Sequence, residues 1–137
     1  MVDIAKERDK NSGYFKVIRT IEMTGQKNLL IQTNAVWNGK KLAPVRLENP
    51  EINVVRITLP VGERLPMHKH PMINVACVLK GELTVHTEAG ESKTFRAGEP
   101  VVEVINVWHY GENTGNEPVE MIVTYVGEAG ATLAENK

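Results

Sequence analysis

From residue 50 onward the chain alternates apolar and polar positions in short runs. In Glu82-Leu83-Thr84-Val85-His86-Thr87 the Leu and Val fall on one side and Glu, Thr and His on the other, the period of two expected of a strand with one buried face. Ile52–Leu59, closed by Pro60 and Gly62, also reads as a strand, as do Ser92–Arg96, Val101–Ile105 and Val119–Val126 between their turn residues. Met72–Leu79 is apolar without alternation, which predicts a strand buried on both sides. Gly81, Ala89-Gly90 and Ala97-Gly98 punctuate these runs at turn positions. No segment beyond residue 13 has a good 3.6-residue apolar period, so a βαβ architecture is not expected. At least six antiparallel strands are expected over residues 52–126, arranged as an all-β sandwich or barrel.

The first part of the chain is less regular. Residues 1–13 are polar and are expected to be a mobile or weakly helical N-terminal segment, with a single domain over 14–137. Phe15–Arg19, Asn28–Thr33 and Ala35–Trp37 read as strands, and Asn38-Gly39 is a hairpin-turn signal because both residues tolerate positive φ. Pro44 and Glu48-Asn49-Pro50 mark a loop.

Composition sharpens this picture. Val outnumbers Leu by 17 to 9, and a branched Cβ suits a pleated sheet better than a helix. The charges, 16 basic against 17 acidic, balance and give no overall field for nucleic acid or an anionic membrane, so neither is expected as a partner. Cys77 is the single cysteine and lies in an apolar run, where a small buried thiol is expected. The first ten residues lack the apolar core of a secretory signal, and no run reaches the ~18 apolar residues of a membrane span, so a cytoplasmic location is expected.

The candidate chemistry lies in the histidines, of which there are four. His68 and His70 are two apart, so in extended chain both imidazoles point to one face. His109 lies at the end of another predicted strand. Neutral imidazole is the commonest ligand of borderline transition metals, and three of them leave positions open for water or substrate.

The spacing around them carries a resemblance. Gly62, five residues, His68-Lys69-His70, three residues, Asn74, six residues, Gly81 resembles the first signature of the cupin superfamily, which has Glu where Asn74 stands. Gly98, His109 and Asn113 hold the spacing of the second signature, whose Pro and Gly positions here carry Val104 and Asn106. The resemblance implies a double-stranded β-helix, a jelly-roll-like barrel, with a metal in its mouth. Carried over residue by residue, the ligands are His68, His70 and His109, to a divalent transition metal (Fe, Ni, Zn or Mn). Asn74 replaces the carboxylate with a neutral amide and is expected to weaken the site. Asn74 and Trp108 are candidates for orienting a ligand or walling the pocket.

His86 reads as an outer residue by parity, and Cys77, at odd offset from Asn74, as facing away. Glu103 is the best nearby carboxylate along the sequence, with its face undetermined. Trp37 and Tyr110 read as core or rim aromatics, and Met67 and Met72 as gap fillers.

Two function classes remain open. One is a metal-dependent enzyme, with an oxygenase of a small organic molecule as the expected activity. The other is a non-catalytic module that binds or senses such a molecule with a vestigial metal site. The resemblance also implies a homodimer, with the N-terminal strands over 15–37 extending a sheet across the interface.

Overall fold

The computed structural model describes residues 25–137 together with the backbone of strands β1 (Val2–Arg8) and β2 (Phe15–Glu22). These two strands pair antiparallel as a sheet of their own. Val2–Arg8 is thus a strand and not a weak helix. The rest of the segment expected to be mobile, residues 9–13 and Met1, lies outside the described residues.

The remaining strands are β3 (Pro50–Leu59), β4 (His68–Lys69), β5 (Ile73–Lys80), β6 (Glu82–Thr87), β7 (Ser92–Arg96), β8 (Pro100–Val102), β9 (His109–Asn113), β10 (Val119–Glu128) and β11 (Glu135–Asn136). They form a four-stranded sheet in the order β3-β10-β5-β8 and a five-stranded sheet in the order β11-β4-β9-β6-β7, every pair antiparallel. No helix occurs among the described residues. The result is an all-β double-stranded β-helix, as expected.

Alternation builds the core. On β10, Val119, Met121, Val123 and Tyr125 turn inward, and on β6, Leu83 and Val85 meet them from the other sheet. Gly81 links β5 to β6 at φ +84°, and a Cβ there would stand 2.7 Å from the Pro118 carbonyl oxygen; only glycine fits.

Three expectations are corrected. β5 is buried on one face only: Asn74, Ala76 and Val78 are buried, while Ile73, Val75 and Cys77 are half-buried on the outer face. That outer face is only partly covered: Val75 and Val102 pack against Val36, Trp37 and Leu42, while Ile73 and Cys77 stay half-buried. Asn28–Thr33 runs without strand pairing, with Leu29, Leu30 and Ile31 exposed, and Ala35 makes only an isolated bridge to Lys41 around the Asn38-Gly39 turn. The strand expected over Val101–Ile105 ends at Val102. The backbone leaves the sheet there and turns at Asn106, whose φ is +54°.

Candidate metal centre

His68 on β4 stands opposite His109 on β9. Directly opposed residues of an antiparallel pair share a face, so both imidazoles enter the barrel. His70, two residues further on, shares the parity of His68. All three are buried, their ring centroids lie 4.4–5.0 Å apart, and their nearest ligand atoms all fall within 4.8 Å of one another. The three histidines singled out in the sequence therefore converge on one point.

Their orientation is set by the backbone. His68 Nδ1 donates to the Pro66 carbonyl at 2.6 Å, His70 Nδ1 to Leu133 at 2.7 Å and His109 Nδ1 to Val107 at 2.8 Å. A carbonyl only accepts, so each Nδ1 carries the proton and each Nε2 is left with a lone pair. This is the arrangement that presents imidazole to a metal, with the second nitrogen anchored behind. His109 Nε2 is buried with no hydrogen-bond partner. A buried acceptor in that state carries a desolvation cost that an ion would relieve. Burial also lowers the pKa of His70 and of His109 to about 4, so both are neutral and able to ligate at pH 7. The donor set fits a divalent transition ion.

Leu133 belongs to the C-terminal segment, which sequence reading left unassigned. Its strand β11 pairs with β4, Asn136 opposite His68 and Glu135 opposite Lys69. The tail thus holds the histidine-bearing strand from its outer side and orients His70.

Two further polar groups reach the cluster. Asn74 is buried on β5, lines the same cavity of about 40 Å³, and donates a long 3.4 Å bond to the Met72 carbonyl. Glu103 enters beside it, just beyond β8, with its backbone N–H donating to the Asn74 carbonyl at 3.1 Å. Its Oε1 accepts from Trp37 Nε1 at 2.8 Å and from the Val104 N–H at 3.0 Å. Its Oε2 lies 3.6 Å from His109 Nε2. Burial pushes the Glu103 carboxyl above the usual carboxylate range, against the pull of those two hydrogen bonds. The face of Glu103, undetermined from sequence, is the inner one.

Tyr125 was missed. It sits opposite Asn74 in the β10–β5 pairing, its ring is 5.5 Å from that of His70, and it lines the cavity. Burial and then the Glu103 charge raise its pKa. Counting by twos from the inward Val123 would have placed it.

Other candidates point elsewhere. Trp108 precedes the inward His109 and so faces outward, where Lys69 Nζ lies 4.7 Å from its ring; it does not wall the pocket. His86 is on the outer face, 3.0 Å from Glu112 and stacked on Tyr110. Cys77 is half-buried on the outer face of β5. Trp37 is neither core nor rim alone, since it anchors Glu103. A larger groove of about 690 Å³, lined by Leu42, Pro44, Val45 and Ile105 among others, contains none of the three histidines.

The signature departures also acquire reasons. Asn106 occupies the family's glycine position at a positive φ, which asparagine tolerates better than most residues, and its N–H donates to the His70 carbonyl at 2.8 Å. Asn113 is structural: its amide donates to Leu59 and Glu117 carbonyls at 3.0 and 2.8 Å and accepts from Gly115 N–H at 3.0 Å.

A barrel of two antiparallel sheets with three inward histidines defines a cupin. Residues 55–125 match the family described as Cupin domain, over half of the chain, and the chain belongs to that family. Among solved structures it resembles a cupin-like protein from Thermotoga maritima, with 20% identity and TM-score 0.56 over 63% of this chain and 64% of that one. It also resembles an RmlC-like cupin family protein from Methanocaldococcus jannaschii, with 26% identity and TM-score 0.52 over 56% and 70%. A DMSP lyase from Ruegeria pomeroyi shares the fold at 21% identity and TM-score 0.55 over 63% and 43%. The matched part spans less than two thirds of the Thermotoga protein and of the lyase. Comparison with curated proteins returned no match. No helix among the described residues is long and apolar enough to cross a membrane.

Proposed function

We propose that this protein is a metal-dependent cupin that acts on a small organic molecule, with His68, His70 and His109 holding a divalent transition ion through Nε2. The observation that carries the reading is the anchoring of all three Nδ1 atoms on backbone carbonyls, which turns three lone pairs toward one buried point. All-imidazole donors suit Fe, Ni, Zn or Mn. Such an ion supplies Lewis-acid chemistry toward an oxygen-bearing substrate and, for iron or manganese, redox chemistry, so an oxygenase is the activity we favour. The protein's own part is to keep the imidazoles neutral by burial, to exclude water with Leu65, Leu83 and Val85, and to offer Asn74, Glu103 and Tyr125 as polar groups that orient the ligand. The small cavity favours a ligand of few atoms.

The Asn74 amide in the family's carboxylate position favours a second reading, a cupin that binds a small molecule without turning it over. One experiment separates the two. Purified protein is assayed for metal content and then for dioxygen uptake against a panel of small organic acids and thiols. A stoichiometric metal with uptake for one class supports the enzyme. Ligand-induced thermal stabilisation without turnover supports the binder, and a protein that binds no metal refutes the metal-dependent reading and leaves the binder.

We further propose a cytoplasmic homodimer. The free Cys77 fits a reducing compartment. Exposed Leu29, Leu30 and Ile31 on an unpaired segment, together with Ile52 and Val54 on the edge strand β3, form apolar surface and free backbone groups that a second copy would cover.

A further inference from the structure

We propose that Glu103 is the fourth ligand of this centre, supplying from the end of β8 the carboxylate that the family carries at the Asn74 position on β5. The inference rests on the metal-centre reading above and says how that centre is completed. Three observations converge on it.

The first is placement. β5 and β8 are neighbours, Val75 opposite Val102, and the Glu103 N–H binds the Asn74 carbonyl. The two side chains therefore enter the cavity from adjacent backbone positions. A carboxylate at position 103 instead of 74 enters the same cavity, beside His109.

The second is orientation. Oε1 is fully engaged by Trp37 Nε1 and the Val104 N–H, while Oε2 is directed at His109 Nε2. The Glu103 side chain is only 12% exposed, and its second oxygen has no protein hydrogen-bond donor among the described residues. Trp37 itself is fixed by its own N–H on the Val102 carbonyl at 2.9 Å. A rotamer locked from two sides is what a ligand needs.

The third is electrostatic. His109 carries its proton on Nδ1, so Nε2 and an ionised Oε2 are two acceptors facing each other at 3.6 Å. Two lone pairs at that distance repel unless a positive charge stands between them. Two ligand atoms each ~2.0–2.2 Å from one ion lie about 3–3.5 Å apart, so the observed gap closes with a small side-chain adjustment. The neutral Asn74 amide adds no charge; Glu103 restores one negative charge to a divalent ion.

The test uses the full chain, stripped with chelator and titrated with Co²⁺, whose visible spectrum reports ligand number, and with Zn²⁺ by competition. Wild type should bind one equivalent. Glu103→Gln, which keeps the shape and the Trp37 bond, should weaken binding at least tenfold and change the Co²⁺ spectrum. Asn74→Glu added to Glu103→Gln should recover most of the loss, while Asn74→Glu alone should gain little, since a carboxylate is already in place. His86→Ala should match wild type. If wild type binds neither ion, the metal-centre reading itself falls. If wild type binds and Glu103→Gln binds equally with an unchanged spectrum, the Glu103 assignment is overturned and the three-histidine centre stands. Should Glu103→Gln fail to fold, a crystal structure of Zn²⁺-loaded wild type decides: Glu103 oxygen within ~2.2 Å of the ion supports the assignment, and beyond 3 Å overturns it.

Discussion

Trp37 donates its indole N–H to Glu103 Oε1 at 2.8 Å, tying a turn in the N-terminal third of the chain to the carboxylate nearest the three histidines. A hydrogen bond to a charged, partly buried acceptor contributes about 1.5–3 kcal/mol. Trp37→Phe removes the donor and keeps most of the ring. It should lower unfolding stability by about 1–2 kcal/mol, read from the urea midpoint, and should loosen metal binding only a few-fold because the Val104 N–H still holds Oε1.

Removing a histidine should have a larger effect than removing a neighbour. His70→Ala deletes one of three convergent lone pairs and frees the Leu133 carbonyl. Metal retained after gel filtration, measured by elemental analysis, should fall to background. His86→Ala, on the outer face against Glu112, should retain the wild-type amount.

The acid limb of stability follows from the same burial. In the folded, metal-free chain His70 and His109 have pKa values of about 4, against 6.5 for unfolded histidine. Between those values the unfolded state holds more protons than the folded one, so stability is full above about pH 6.5 and declines as pH falls toward 4. Glu103, raised by burial, is protonated earlier in the folded state and offsets part of the loss. The unfolding free energy from urea titrations in chelator should fall between pH 7 and 4.5 by an amount on the order of a few kcal/mol. A flat profile would contradict the neutral, buried imidazoles.

The proposed dimer makes a prediction about apolar surface residues that are exposed in one chain. Light scattering at tens of micromolar should return twice the 15.2 kDa chain mass. Leu30→Glu or Val54→Glu, each placing a charge on exposed apolar surface, should return the single-chain mass without lowering far-ultraviolet strand content.

Gly81 is the turn at which substitution should cost most. Gly81→Ala brings a methyl to 2.7 Å from the Pro118 oxygen in a backbone at φ +84°. The strain and the displaced backbone should cost about 2 kcal/mol or more by denaturant unfolding. Gly90→Ala, also at positive φ but with nothing within 4 Å, should cost about 1 kcal/mol.

Much of this was legible along the chain because it is local. The period-two runs and their glycine stops predicted β6, β7 and β10 closely, since one strand's faces are set by its own alternation. The spacing of His68, His70 and His109 singled out the cluster, because two residues in extended chain must share a face and the signatures located the third. Outer positions followed from the same parity, as for His86 and Cys77.

The misreadings have a common source, in that each depends on what the rest of the chain brings alongside. Asn28–Thr33 has strand composition and no pairing partner, and a strand is made by its neighbour's hydrogen bonds rather than by its own residues. Met72–Leu79 has two apolar faces, yet only packing determines that one of them is left half-exposed. Trp108 and Glu103 lie within six residues of each other near His109, and one faces out while the other faces in. The strand's end at Val102 and the turn at Asn106 set that difference. Trp37 and Leu133 are far from the histidines in sequence, and they orient Glu103 and His70 through single hydrogen bonds. Alternation is a property of one segment and can be counted. The aim of His70 and of Glu103 is fixed by atoms 63 and 66 residues away, and only folding brings those atoms within 3 Å.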